Sequence, residues 1–225
     1  MNLEGLLAHT PLFQGLDSDE IARLAHGSRA LTAARGDTLF HRGDTPTGFF
    51  LIIFGLVKLA LNSPQGDEKV VAILGPGDTF GEAVMFIDQP FLVDAQALVQ
   101  SRLVHVSKGA ILQELDRDPR LVRKMIAALS MRLHHLIDDV EGYSLRSGCQ
   151  RIVDYLLRNA VEEDGRAVTV TLPTNKRVIA SRLNLTQETF SRILQTLGKQ
   201  GLLSVERRRI HIPDIERLQA VAGID

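Results

Sequence analysis

Gln187, Glu188, Ser191 and Arg192 fall together on one side of a helical period, while Phe190, Ile193, Leu194 and Leu197 fall on the other. The set holds no nucleophile with a base beside it. It consists of an amide, a carboxylate, a hydroxyl and a guanidinium, which is the chemistry that matches nucleobase edges. A guanidinium makes two parallel hydrogen bonds to guanine O6 and N7, a carboxylate accepts from cytosine N4, and a hydroxyl serves either base. A polar helix face taken alone is ordinarily just solvated, so the flanking elements must decide.

Val168 to Leu172 predicts a strand ending at Pro173. Thr174 is a cap for a helix through Val178, Ile179 and Leu183, Asn184-Leu185 predicts a turn, and Thr186 caps the helix carrying the four polar side chains. Asparagine suits that turn because it tolerates the left-handed backbone region. Gly201 to Val205 and Ile210 to Ile212, on either side of Glu206 to Arg209, predict a hairpin. Helix, turn, helix and hairpin make a winged helix-turn-helix, whose second helix enters the DNA major groove with its N-terminal residues at the base edges. Residues 174 to 209 hold eight Lys+Arg (Lys176, Arg177, Arg182, Arg192, Lys199, Arg207, Arg208, Arg209) against two acids, Glu188 and Glu206. Basic groups on the first helix and the wing are placed to neutralise phosphates, with Thr186, Arg207 and Arg208 as the contacts beyond that first helix. Double-stranded DNA is the expected partner.

The formal charge of −1 divides unevenly. Residues 1 to 143 hold 13 Lys+Arg against 18 Asp+Glu, a balance of −5, and residues 144 to 225 hold 13 against 9, a balance of +4. Such asymmetry suits a basic rear domain that meets a polyanion and an acidic front domain that does not. The longest apolar run, Gly48 to Val57, is half of a membrane span, and the start MNLEGLLAHTP lacks the basic residues of an export signal. A cytoplasmic protein without a membrane partner is expected. A single cysteine, Cys149, excludes an internal disulfide, a four-cysteine iron–sulfur cluster and a zinc ribbon. No GxSxG, HExxH or P-loop motif is present, so no enzyme is expected. The alternative of another class, a cupin-like ligand-binding barrel with a basic tail, calls for clustered metal ligands, whereas His41 and His105 stand alone.

From Thr32 to Ser107, short apolar runs alternate with the steps Gly36-Asp37, Gly43-Asp44, Gly66-Asp67 and Gly77-Asp78. This predicts a compact antiparallel barrel or sandwich. Asp17 to Glu20, ahead of Ile21, Leu24 and Ala25, predicts a helix packed on it. Pro119 opens a long helix ending before Gly142, in which Val122, Ile126, Leu129, Leu133, Leu136 and Val140 step by four and three. The flanks Arg123, Lys124, Arg132, His134, His135, Asp138 and Asp139 are too polar to be covered all round, so the seam predicts a parallel two-stranded coiled coil and a homodimer. A break over residues 141–148 then leads to an amphipathic helix with Ile152, Val153, Leu156 and Leu157. The fold class is α+β: residues 1–117 form an antiparallel β-roll, 118–142 a dimerisation helix, and 143–225 the winged helix-turn-helix.

This order, with Gly77-Asp78-Thr79-Phe80-Gly81-Glu82 in the barrel and Glu188-Thr-Phe-Ser191-Arg192 in the rear helix, resembles the Crp/Fnr family of bacterial transcription regulators over nearly the whole chain. The resemblance implies a cyclic-nucleotide-binding-like roll, with Gly81, Glu82, Met85, Phe86, Leu92 and Val93 around its effector. It also implies Lys176 and Arg177 on the DNA backbone and, from the Glu-x-x-Ser-Arg spacing, a palindrome of TTGAT-like half-sites. RNA polymerase joins the partners if the protein activates transcription. Cyclic-nucleotide members of the family carry Arg-Ser downstream of Gly-Glu, but Leu92 and Val93 stand there in this chain, and no Lys or Arg lies between Lys69 and Arg102. A buried phosphate without a cation is strongly unfavourable, so no cyclic nucleotide is expected. The lone Cys149 excludes the Fnr-type iron–sulfur cluster. Met85 to Pro90, Arg132-Leu133-His134 and Glu188 to Arg192 resemble the dissimilatory nitrate respiration regulator branch in particular, which implies haem and nitric oxide as effector. Another small effector, or none, is the second reading. The available axial ligands are His9, His26, His41, His105, His134, His135, Met85 and Cys149, and the residues do not choose among them.

Overall fold

In the computed structural model, which describes residues 2–63, 65–162 and 167–223, the chain divides into two compact units, Met1–His134 and His135–Asp225. The first begins with α1 (Leu3–Ala8), a 3-10 turn at Pro11–Phe13 and α2 (Ser18–His26). Asp17 starts α2 with a reciprocal cap: its carboxylate accepts from the Glu20 N–H at 2.8 Å, and the Glu20 carboxylate accepts from the Asp17 N–H at 2.7 Å.

The strands are β1 (Ser28–Ala33), β2 (Thr38–Phe40), β3 (Gly48–Phe54), β4 (Val57–Asn62), β5 (Glu68–Leu74), β6 (Thr79–Phe80), β7 (Asp94–Ala97) and β8 (Ser101–Ser107), with α3 (Glu82–Phe86) between β6 and β7. They pair antiparallel into two four-stranded sheets, ordered β1-β8-β3-β6 and β2-β7-β4-β5. The apolar run in β3 lacks alternation because both of its faces are covered. Phe50 and Ile52 point between the sheets with Phe40, Val57, Phe80, Phe91, Ala95 and Leu103. Phe49 and Leu51 point the other way, onto Leu7, Phe13, Leu24, Met85 and Ile111. Three Gly-Asp steps become one repeated turn. Gly36, Gly43 and Gly77 take φ of 95°, 95° and 91°, and the next aspartate accepts from the N–H three residues earlier, Ala34, His41 and Gly75, at 2.8 Å each.

After β8 come α4 (Lys108–Arg117) and α5 (Pro119–Leu145). The expected stop before Gly142 is a correction: α5 continues to Leu145, and only Arg146 and Ser147 separate it from the next helix. A helical glycine weakens a helix by only about 1 kcal/mol, and the hydrogen bonds of Tyr143 described below hold the turn that contains Gly142. The second unit continues with α6 (Gly148–Arg158), β9 (Val161–Glu162), β10 (Val168–Thr171), α7 (Lys176–Arg182), α8 (Gln187–Lys199), β11 (Ser204–Glu206), β12 (Arg209–Ile212) and α9 (Ile215–Ala222). Its sheet is antiparallel, in the order β11-β12-β10-β9.

Glu114 of α4 is buried and receives Arg23 Nε at 2.7 Å, Arg23 Nη2 at 2.9 Å and Arg117 Nη1 at 2.9 Å. The Arg23 hydrogen bonds, with those of Arg117, hold its carboxyl below the usual carboxylate range. A depressed folded pKa stabilises the fold above the unfolded value of about 4.3, and that contribution is lost as pH falls through the folded value. Glu114→Gln is therefore expected to cost about 1–3 kcal/mol near neutrality, with a deficit that narrows in acid. Thermal melts of both proteins across pH test this, and a deficit that stays constant into acid would contradict the assignment.

Candidate nucleic-acid interface and sensing roll

The helix pair of the second unit is built by local caps. Asn175, rather than the expected Thr174, starts α7: its side chain accepts from the Val178 N–H at 3.0 Å, and Thr174 is buried. Either residue type can cap, and the burial of Thr174 leaves Asn175 in place for it. Asn184 takes φ of 57° in the turn, as expected, and the Leu185 N–H donates to the Ala180 carbonyl at 2.9 Å. Thr186 caps α8, its hydroxyl accepting from the Thr189 N–H at 3.1 Å and donating to the Thr189 hydroxyl at 3.1 Å. Its side chain is thus engaged by the helix itself. Phe190, Leu194 and Leu197 are buried, which turns the opposite face outward. Gln187, Glu188 and Arg192 are exposed and Ser191 half-exposed. The side chains of Gln187, Glu188 and Arg192 bond to no described residue. From 187 to 192 the helix rises about 7.5 Å, the span of about two base-pair steps.

The wing is the β11–β12 hairpin. Glu206 pairs with Arg209, so Arg207 and Arg208 form a two-residue tip. Arg207 takes φ of 55°, a conformation a bulky residue adopts at a cost of about 1–2 kcal/mol. The Leu172 N–H donates to the Arg208 carbonyl at 2.8 Å and anchors the tip. Arg177, Arg207, Arg208 and Arg209 are exposed and Lys176 half-exposed. Arg182 departs from the expected set of phosphate neighbours: its guanidinium donates to Asp139 at 2.7 Å and to the Tyr143 hydroxyl at 2.6 Å. Sequence reading missed this because those acceptors lie about forty residues upstream.

On α5, Ile126, Leu133, Leu136 and Val140 of the expected seam are 44–63% exposed, and Val122 and Leu129 are half-buried. Ile137 joins them at 56%. The inward side is a different stripe, Leu121 and Met125. A long apolar stripe remains uncovered within one chain.

The residues expected around an effector lie in different surroundings. Met85 and Phe86 pack in the cluster outside the β3 sheet, Leu92 is 64% exposed, and Val93 is half-buried. Gly81, with φ of 92°, starts α3, and a Cβ there would lie 3.1 Å from Phe91. Glu82 is 3% exposed and pairs with Arg132 Nη1 of α5 at 2.7 Å, while Arg132 Nη2 donates to the Thr79 carbonyl. The second Glu82 oxygen, Oε2, is buried with no partner among the described residues. Arg132, read from sequence as a flank of the seam, supplies the cation that the roll's own segment lacks.

Between the sheets, Phe40 stacks on Phe91 at 3.6 Å and Phe50 on Phe80 at 5.1 Å, and Phe40 lies 5.7 Å from Phe50 and 6.0 Å from Phe80. The four rings pack against one another in this space, so a porphyrin between the sheets would have to part them. His105 is buried edge-on to Phe50, desolvation lowers its pKa, and its ring lies beside Thr47 at 3.3 Å. His9, His26, His41, His134 and His135 are exposed. Burial pushes the Cys149 thiol up, away from the thiolate that binds metals. Among the described residues, no three or more His, Cys, Asp or Glu are grouped to hold a metal ion. None of the helices described is long and apolar enough to cross a membrane.

Residues 30–118 match the cyclic nucleotide-binding domain family, and residues 150–221 match the Crp-like helix-turn-helix domain family. A CRP-like cAMP-activated global transcriptional regulator of Mycobacterium tuberculosis is 26% identical over 219 residues, which covers 96% of this chain and 98% of that protein. The crystal structure of DNR from Pseudomonas aeruginosa is 35% identical, with 96% of each chain covered and a TM-score of 0.51. FixK2 from Bradyrhizobium japonicum, at 21% identity, shares the fold with a TM-score of 0.77 over 88% of this chain and 98% of its own. The cupin-like alternative gives way to this match. With both domains matched in order and 35% identity across nearly the full length, the chain belongs to the Crp/Fnr family of DNA-binding transcriptional regulators.

Proposed function

We propose that the protein is a homodimeric regulator in which α8 of each protomer reads one half of a TTGAT-like palindrome. The observation that carries this is the α8 face itself: Gln187, Glu188 and Arg192 project without a described partner from a helix whose other side is locked by Phe190, Leu194 and Leu197. Arg192 is the guanine reader and Glu188 the acceptor for cytosine. Lys176, Arg177, Arg207 and Arg208, with the N-terminal turn at Thr186, hold phosphates and set register. The uncovered stripe of Ile126, Leu133, Leu136, Ile137 and Val140 is the dimer seam, and twofold pairing is what matches two half-sites one helical turn apart.

The switch acts through Glu82 and Arg132. A ligand hydroxyl or amine that donates to Glu82 Oε2, or that displaces Arg132 from the Thr79 carbonyl, alters the hold of the roll on α5. The Arg132 guanidinium is already engaged by Glu82 and Thr79, so a cyclic phosphate would still lack a cation. Haem with nitric oxide, which the sequence resemblance implies, would require the Phe40–Phe91 stack to open. An effector small enough to reach Glu82 suits the roll better.

Selection from a randomised duplex pool is expected to enrich TTGAT-like inverted repeats. On the selected duplex, Arg192→Ala should lose about 1–3 kcal/mol of discrimination at one guanine per half-site. Lys176→Ala should weaken every sequence alike and lower the salt slope by about 0.9 for each phosphate left without its lysine. Fluorescence anisotropy over a salt series separates the two, and an equal loss on selected and random DNA by Arg192→Ala would contradict base reading. Leu133→Glu should sediment as a monomer, so a dimer that persists would remove the seam. Titration with haemin should show no saturable one-to-one change in absorption; a saturable one would establish that the aromatic packing opens.

A further inference from the structure

Arg182 is the last residue of α7, directly ahead of the turn that sets the angle between α7 and α8. The final carbonyls of a helix have no partner within it, and two carbonyls of this segment find theirs outside the helix pair. Tyr143, in the last turn of α5, donates its hydroxyl proton to the Arg182 carbonyl at 2.6 Å. The same hydroxyl oxygen accepts from Arg182 Nη1 at 2.6 Å, and Arg182 Nη2 donates to Asp139 at 2.7 Å. One tyrosine thus grips the backbone and the side chain of a single residue. Two residues on, the Asn184 carbonyl receives Arg151 Nη1 of α6 at 3.5 Å, and the Arg151 guanidinium sits 5.9 Å over the Tyr143 ring. All these groups belong to the second unit.

We propose that Asp139, Tyr143, Arg151 and Arg182 form a clasp that positions the recognition helix, and that Arg182 is a positioning residue rather than a phosphate contact. The inference rests on α8 being the base reader. Its physical content is leverage. A tilt of about 5° along α8, roughly 20 Å long, moves its N-terminal side chains by nearly 2 Å. A hydrogen bond to a base edge tolerates only a few tenths of an ångström. Phosphate contacts made by long, flexible side chains tolerate such a shift. The clasp therefore governs specificity while leaving non-specific affinity alone.

The test uses the full-length protein, the duplex that wild-type protein enriches from a randomised pool, and a random duplex. Tyr143→Phe keeps the ring beneath Arg151 and removes only the hydroxyl, and Asp139→Asn removes the charge that holds Arg182. Each should weaken binding to the selected duplex about 5- to 30-fold, leaving random-duplex affinity and salt slope unchanged. Hydrogen exchange of the Leu183–Phe190 amides should quicken in Tyr143→Phe, with the melting temperature showing that the fold is retained. The phosphate alternative gives opposite signs: Asp139→Asn would free Arg182 and tighten both duplexes, and Arg182→Gln would weaken both and lower the salt slope. That outcome, or variants that keep the wild-type ratio of selected to random affinity, would overturn the clasp. A wild-type protein with no preference for any duplex would instead overturn the reading of α8 and remove the clasp's role with it.

Discussion

A helix can offer side chains to another molecule in defined geometry only when the rest of its surface is immobilised. In α8 that constraint is met by Phe190, Leu194 and Leu197, all buried, and by the Thr186 cap that fixes the first turn. With 3.6 residues per turn, burying those positions decides that Gln187, Glu188 and Arg192 face outward. The left-handed Asn184 and the hydrogen bond between Leu185 and Ala180 then set where that face points relative to α7. Every feature of the outward face of α8 depends on this packing.

Three acids tied to arginines organise the elements around it. Glu114 with Arg23 joins α4 to α2, Glu82 with Arg132 joins the start of α3 to α5, and Asp139 with Arg182 joins α5 to α7. A buried carboxylate is tolerated only when it is paired and hydrogen-bonded, so the pairs of the buried Glu114 and Glu82 each specify one arrangement of their two elements. Glu82 is the incomplete case, with one oxygen buried and unpartnered among the described residues. An incompletely satisfied buried group is where a small polar ligand gains most, because its hydrogen bond replaces none that already exists.

The roll shows the opposite character. Four phenylalanines meet between its sheets, and such interiors exchange between discrete packings instead of yielding gradually.

Much of this was legible in the residues alone. The Gly-Asp turns, the apolar run of β3, the exposed apolar stripe of α5, the Asn184 turn and the outward set on α8 all follow from local periods of two or 3.6 and from residues with unusual backbone tolerance. Those signals are carried by neighbours in the chain, so no tertiary knowledge is needed to read them. Only the folded chain decided that Arg132 answers Glu82 from 50 residues away, that Arg182 bonds to Tyr143, that Leu92 sits on the surface, and that four aromatic rings meet between the sheets of the roll. The reason is physical: which cation meets which buried acid, and how much volume remains between two sheets, depend on where distant strands and helices fold back, and neither leaves a period in the sequence.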